Sequence, residues 1–360
     1  MDLDLPPDLY GRPRADRYLS RLTAFADWLD PRFGGPGLRR NPKRPAARPV
    51  PPLHLVVASH RSIAEGVAEL RLADPGGSPL PGWQPGARLE LTLPSGLVRH
   101  YSLCGDPSDR RSYRIAVRRI DGGGGGSVEV HDALHPGVRL TARRPRNGFA
   151  FCAEPTVLLL AGGIGVTPIL PMAHQAEQLG LDWKLVYAGR DEASMPFLSE
   201  LRALGAGSDR VEVLTGAPTP AEELLARARP GSAVYCCGPT PMLAAVQRAL
   251  EASPAASLHF ERFGAAPIAD GRPFTVRLGD GPELEVPADR SALDVLRERN
   301  PALAYSCHQG FCGTCRLRVT SGTPEHRDRR LTPEDRAAGA FLPCVSRAPE
   351  GEHLTLTEDR

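Results

Sequence analysis

From Leu53 to Cys152 short apolar runs alternate with turns. LHLVVASH, VAELRL, ARLELTL, YRIAVRRI and SVEVHDAL each place apolar residues near every second position. That period predicts short half-buried strands, and no long amphipathic helix interrupts them. Residues 53–152 therefore read as an antiparallel β-barrel or sandwich. At Thr156 the pattern changes. VLLLA is apolar throughout, as in a strand covered on both faces. A glycine turn and a helix over Ile169–Leu179 follow. Then KLVYAG, MPFLSELRAL, VEVLTG, PAEELLARA, AVYCCG and PMLAAVQRAL alternate strand with helix. Such alternation predicts a parallel sheet wrapped by helices over 153–264. AAPIADGR supplies a linker at 265–272. FTVRLG and ELEVPA then form a hairpin-like pair, followed by a helix at Ser291–Arg299 and a cysteine-rich loop within a mixed α+β unit over 273–360.

Residues 1–52 differ from the rest. Tyr18, Leu22, Phe25 and Leu29 stand at helical spacing between Asp16 and Asp30. A Pro/Gly/Arg-rich run with Arg39, Arg40, Lys43, Arg44 and Arg48 follows. The reading is a docking helix and a semi-rigid linker, with a partner-binding or anion-seeking segment as the alternative.

Composition narrows the class. At 360 residues the chain has room for two or three domains. Lys+Arg 44 against Asp+Glu 42 gives a net charge of +2, without the basic surplus of a nucleic-acid binder. Asp2 and Asp4 stand where a secretion signal would be cationic, and no apolar segment follows, so a cytoplasmic chain is expected. The uncharged stretch Pro155–Ala173 is broken by prolines and glycines and reads as a buried strand and turn, not a membrane span.

The most specific pattern is Cys307-x4-Cys312-x2-Cys315, with Cys344 farther on. This is the spacing of a plant-type [2Fe–2S] cluster, which takes four thiolates. Gly310 and Gly313 permit a tight loop whose amide N–H groups face the sulfurs. The competing readings are a zinc site and unligated thiols. Zinc loops favour paired C-x2-C knuckles, and this chain has one. His308 is at the wrong spacing for a Rieske site. Cys104, Cys152, Cys236 and Cys237 have no ligand spacing and read by default as buried structural thiols.

The apolar strand runs into Gly162-Gly163-Ile164-Gly165-Val166-Thr167-Pro168. A glycine turn between a buried strand and a helix is a phosphate cradle. A later strand ends at Cys237-Gly238-Pro239-Thr240-Pro241-Met242, on the same expected edge of the sheet. In the β-rich unit, Arg99-x-Tyr101-Ser102 offers a phosphate fork, a ring cover and a hydroxyl. Gly122 to Gly126 with Ser127 could add phosphate donors, with a flexible hairpin loop as the plain alternative.

Together these motifs resemble the phthalate dioxygenase reductase family, within the ferredoxin–NADP reductase superfamily. The residues that carry the likeness are Arg99-x-Tyr101-Ser102, GGGGGS at 122–127, GGIGVTP at 162–168, CGPTPM at 237–242, HFERF at 259–263 and the four cluster cysteines. The likeness spans about 53–360 and leaves the N-terminal extension outside it. It implies a flavin barrel, a pyridine-nucleotide domain and a β-grasp ferredoxin domain, in that order. The PRN-x-F segment at Pro145–Phe149 implies FMN rather than FAD. By resemblance Arg99 binds the FMN phosphate, Tyr101 and Ser102 flank the ring system, Gly126 and Ser127 assist, and Phe263, with Phe260 second, covers the flavin. NAD(P)H would be met by Gly162, Gly163, Gly165, Thr167, Pro168, Cys237, Gly238, Pro239 and Met242, with Arg190 near the ribose.

The expected activity is hydride transfer from NAD(P)H to FMN, then single electrons to the [2Fe–2S] cluster and on to a partner oxygenase. No acid or base residue is required. Arg190 favours a 2′-phosphate, while Asp191 and Glu192 favour a 2′-hydroxyl, and the family tips the reading to NADH. The resemblance implies a Rieske-type non-haem iron oxygenase as acceptor, with a cytochrome P450 as the alternative. A monomer is expected, without nucleic-acid or membrane partners. A flavin-free carrier and a redox sensor are the rivals from other classes.

Overall fold

A computed structural model describes residues 51–358, apart from Gly123, Ala266, Pro267, Ser306 and Arg329. The chain divides into Met1–Pro51 and Pro52–Arg360. The amphipathic helix read over 16–30 and the arginine-rich linker fall outside the described residues.

The first sheet is antiparallel. Its strands are β1 (Leu53–Ala64), β2 (Val67–Ala73), β3 (Ala87–Thr92), β4 (Val98–Ser102), β5 (Ser112–Arg118), β6 (Arg139–Ala142) and β7 (Arg146–Asn147). Their order is β4-β3-β6-β1-β2-β5, with β7 on β3. Alternate side chains of β3 are buried (Ala87, Leu89 and Leu91) and pack with Leu55, Leu70, Leu72 and Ile115 into one core. The sheet curls into a half-barrel with β4 and β5 as its open edges. One expected strand is a helix. All of SVEVHDAL but its last residue falls within the helix Gly126–Ala133, which is entered from Gly125 at φ 79° and capped by Leu134. Gly126, Val130 and Leu134 are buried at four-residue intervals, a helical stripe that Val128 and Val130 disguise as alternation.

The second sheet is parallel: β8 (Thr156–Gly162), β9 (Asp182–Gly189), β10 (Val211–Thr215), β11 (Ala233–Cys237) and β12 (Ser257–Glu261). The order β10-β9-β8-β11-β12 reverses direction between β8 and β11. At such a switch point two loops part and leave a crevice beyond the strand ends. The helix after β8 starts at Val166, earlier than the apolar spacing suggested, because Pro168 sits comfortably in its first turn. Among the described residues no helix is long and apolar enough to cross a membrane.

The third sheet is mixed: β13 (Phe274–Leu278), β14 (Leu284–Val286), β15 (Leu317–Ser321), β16 (Ala340–Phe341) and β17 (His353–Glu358). Its order is β14-β13-β17-β15-β16, and β13 and β14 form the expected hairpin. The helix Ala292–Arg299, capped by Ser291, packs on it.

Polar contacts join the sheets. Arg114 on β5 donates to Glu69 at 2.6 Å and to Glu200, beyond β9, at 3.0 Å. Gln309 of the cysteine loop donates through Nε2 to the carbonyls of Arg262 at 2.7 Å and Gly264 at 2.8 Å. The segment that leaves β12 is thereby held against that loop.

Candidate functional site

A cavity of about 560 Å³ opens where the three sheets meet. The antiparallel sheet contributes Arg99, Tyr101 and Ser102 from β4. The parallel sheet contributes Ile164, Thr167, Glu261 and Phe263. The third contributes Tyr305, Cys307, Gln309 and Phe311. Its size is that of a site for a cofactor-sized molecule.

At one end Arg99 donates from Nη2 to the Gly124 carbonyl at 2.5 Å and to Tyr305 Oη at 2.8 Å. Arg297 lies 3.8 Å from the centre of the Tyr305 ring, so two guanidiniums flank one phenol. The glycine run has a steric reason to be there. A Cβ on Gly126 would stand 2.5 Å from Arg99 Nε, and one on Gly124 would meet Tyr305 Oη at 1.8 Å. Bare backbone, the N-terminus of the helix Gly126–Ala133 and Arg99 thus share one corner, a set of donors suited to a phosphate. Ser127 lies on the rim, but its hydroxyl is engaged with Ile120, accepting from the amide at 3.1 Å. It closes the loop rather than standing free as a donor.

Tyr101 is half-buried, and the desolvation of its phenol pushes its pKa up. Phe263 is 46% exposed and lines the cavity mouth. Phe260 instead packs into the parallel-sheet core, so of the two aromatics Phe263 is the one placed to cover a ligand.

Glu261 was not singled out from the sequence. It ends β12 in register with Cys237 on β11, and it accepts from Ser102 Oγ at 3.2 Å. Arg88 lies 3.5 Å away. Burial outweighs both partners and raises the Glu261 pKa to about 7. Burial and the neighbouring Glu261 push the Cys237 thiol well up, so it is neutral. A raised carboxyl pKa favours folding while the group is protonated. That stabilisation is complete below about 4.5 and is lost as pH rises through about 7. The shift amounts to about 3 kcal/mol. Unfolding midpoints of Glu261→Gln should therefore lack a decline that the parent shows between pH 5 and 8. Parallel pH profiles for the two proteins would discard this assignment.

On the parallel sheet, the glycine turn and the Cys237–Met242 turn touch. A Cβ on Gly165 would lie 2.2 Å from the Cys237 carbonyl oxygen, and one on Gly162 would lie 2.6 Å from Pro239 Cδ. Met242 Sδ would be 2.8 Å from the latter. The helices Val166–Gln178 and Thr240–Ala249 therefore start side by side on the sheet's carboxyl edge, next to Gly163, Gly238, Thr167 and Pro168. Thr167 Oγ1 donates to the Ile164 carbonyl at 3.0 Å and pins the turn. Beyond β9, Arg190 is exposed and 3.8 Å from Asp191. Asp191 caps the following turn at Ser194, and Glu192 pairs with Arg202. Both carboxylates thus already have partners.

Cys307, Cys312, Cys315 and Cys344 are not arranged round one point. Among the described residues, no three His, Cys, Asp or Glu side chains converge on a site for a single ion. The thiols instead pair, Cys307 with Cys312 and Cys315 with Cys344. Two pairs of thiolates are the donor set of a binuclear cluster, in which each iron takes two. Backbone amides face the sulfurs, from Gln309 to Cys307 and from Thr314 to Cys312, each at 3.4 Å. The Cys307 thiol and Thr314 hold the Cys312 pKa well below the ordinary thiol range. Gly310 at φ 72° and Gly313 at φ 81° make the loop's reversals possible. Of the other cysteines, Cys104, Cys236 and Cys237 are buried as expected, but Cys152 is exposed. Its strand-like surroundings end in an irregular segment at the surface.

Known proteins agree with this layout. Residues 276–349 match the family model of the 2Fe-2S iron-sulfur cluster binding domain. Phthalate dioxygenase reductase of Burkholderia cepacia is 38% identical over 309 residues, covering 83% of this chain and 96% of that protein. A tert-butanol monooxygenase / tert-amyl alcohol desaturase reductase subunit of Aquincola tertiaricarbonis is 38% identical, covering 78% and 88%. Among solved structures, phthalate dioxygenase reductase, described as modular for electron transfer from pyridine nucleotides to [2Fe–2S], superposes with a TM-score of 0.63. It is 36% identical and covers 85% of this chain and 98% of that one. An intact type IV self-sufficient cytochrome P450 monooxygenase matches with a TM-score of 0.62 and 35% identity, over 85% of this chain and 41% of that one. With relatives this similar over nearly their whole length, the chain belongs to the phthalate dioxygenase reductase family of iron–sulfur flavoprotein oxidoreductases.

Proposed function

We propose that this chain is the reductase of a two-component oxygenase system, passing electrons from NADH or NADPH through FMN and a [2Fe–2S] cluster to a Rieske-type oxygenase. The observation that carries the reading is a cavity lined from all three sheets, with the Arg99–Ser102 strand on one wall and the cluster loop on another. When bound, a flavin accepts hydride and releases electrons singly, which couples a two-electron donor to a one-electron cluster.

The residues divide the work. Arg99 and the helix that starts at Gly126 hold the phosphate. Tyr101 and Phe263 enclose the planar ring system. Ser102, held by Glu261, presents its hydroxyl beside the ring. The turns at 162–168 and 237–242 bind the nicotinamide dinucleotide, and Arg190 is the cation available near the adenosine ribose. Cys307 and Cys312 ligate one iron, and Cys315 and Cys344 the other. Gln309 keeps the cluster loop close to the flavin-facing Phe263. By this reading residues 53–152, 153–264 and 273–360 are the flavin, nucleotide and ferredoxin domains.

A cytochrome P450 acceptor is the second reading, favoured by the likeness to the self-sufficient P450 monooxygenase. An anaerobic absorbance titration with NADH and NADPH in parallel tests the common core. Flavin and iron–sulfur bands should both bleach, and the nucleotide that bleaches them at the lower concentration is the donor. Iron–sulfur bands without flavin, or bands that neither nucleotide bleaches, would overturn the reductase reading.

A further inference from the structure

The central cavity does not account for the charge gathered on the other side of the cysteine loop. A second groove, of about 480 Å³, runs along the seam between the antiparallel sheet and the C-terminal domain. Its walls carry Arg143 and Glu90 from one side and Arg316, Arg330 and Asp335 from the other, and Cys312, Gly313 and Thr314 form part of its lining. A narrower cleft beside it adds Arg144 and Arg146 and again reaches Cys312. Of the four cluster thiols, Cys307, Cys315 and Cys344 are buried and Cys312 is half-buried. The groove is therefore where the cluster end of the chain comes nearest to solvent.

Its charge is unbalanced. Glu90 pairs with Arg143 at 2.9 Å, and Asp335 pairs with Arg316 at 2.9 Å. Among the described residues no carboxylate pairs with Arg144, Arg146 or Arg330, and all three are exposed. The whole chain carries only +2, so this excess is local. Exposed arginines offer flat forks that match carboxylates, and a patch of one sign steers an oppositely charged partner towards it.

We propose that this groove is the docking surface for the electron acceptor, and that the acceptor is a protein with an acidic patch around its own redox centre. The inference rests on the reductase reading above. Each NADH yields NAD⁺, one proton and two electrons, and the electrons leave singly, so two oxidised acceptors are reduced per NADH. The acidic rim fits over Arg144, Arg146 and Arg330, which brings its redox centre to the half-buried edge at Cys312.

The test uses the full holoprotein, NADH, and two probe acceptors of opposite charge: acidic cytochrome b5 and basic cytochrome c. Reduction of cytochrome b5 should fall about tenfold or more between about 10 and 300 mM salt. The double variant Arg144→Glu, Arg330→Glu should lose about as much at low salt and gain rate with cytochrome c. Its flavin and iron–sulfur bands should match the parent in intensity and bleach with NADH at the same rate, which also shows that it folds. The milder pair Arg144→Gln, Arg330→Gln should fall in between. Cytochrome b5 rates that ignore both salt and charge reversal, with normal bleaching, would overturn the docking surface alone. A parent protein whose bands NADH does not bleach would overturn the reductase reading, and the docking surface with it.

Discussion

Replacing Cys344 with alanine should leave a flavoprotein that still takes hydride from NADH but passes almost nothing on. Three of the proposed ligands come from one loop, and Cys344 arrives from the segment after β16, buried against Cys315. Alanine there leaves one iron with a single protein thiolate. Altering groups that merely support metal ligands costs roughly 10–100-fold, and loss of a ligand costs more. Protein-acceptor reduction should therefore drop by more than about a hundredfold, with iron and the iron–sulfur bands lost. Flavin content and the bleaching of its band by NADH should persist, because the phosphate corner at Arg99 and the nucleotide turns lie elsewhere in the fold. Cys152→Ala, at an exposed thiol, is the control and should change neither property. Full cluster absorbance in Cys344→Ala would remove Cys344 from the ligand set.

What could be read in advance, and what could not, follows from how far apart in the chain the interacting groups lie. Strands β1, β2, β3 and β5 were visible because apolar residues recur at about every second position within each, a signal that is local in the chain. The cysteine loop was visible because three thiols and two glycines with positive φ fall within nine residues. The glycine turn at 162–165 was visible because only glycine tolerates what packs on Gly162 and Gly165. SVEVHDAL misled because two valines two apart satisfy a strand, while the stripe that governs, Gly126–Val130–Leu134, includes a glycine that hydropathy does not register. Glu261 and Tyr305 were passed over for a different reason. Glu261 meets Ser102 across 159 residues of sequence, and Tyr305 meets Arg99 across 206. A buried carboxylate in HFERF and a tyrosine two residues before Cys307 acquire meaning only when three sheets converge. Asp191 and Glu192 show the reverse. Their position beyond β9 suggested ribose recognition, but local capping and Arg202 occupy them.

Gly165→Ala should separate the two nucleotide turns and so weaken NADH binding without disturbing either redox centre. The backbone at Gly165 is ordinary, with φ −62°, so an L side chain brings no torsional strain. The difficulty is contact. The added Cβ would lie 2.2 Å from the Cys237 carbonyl oxygen, 2.5 Å from its carbon and 2.8 Å from the Gly238 nitrogen. These are backbone atoms at the end of β11, and they cannot rotate away as a side chain would. Relief needs a shift of about an ångström between β8 and β11, whose ends are in register at Ala161 and Cys237. The two helix N-termini proposed to bind the dinucleotide would part by a similar amount. A misplacement of that size costs on the order of a hundredfold. The KM for NADH should rise roughly 10–100-fold, with flavin and iron–sulfur absorbance unchanged. Gly163→Ala separates contact from torsion. Nothing lies within 4 Å of its Cβ, but its φ is +53°, so it should lose about 1–2 kcal/mol of stability with a much smaller change in KM. Equal KM values for Gly165→Ala and the parent would mean that the dinucleotide does not bind across these two turns.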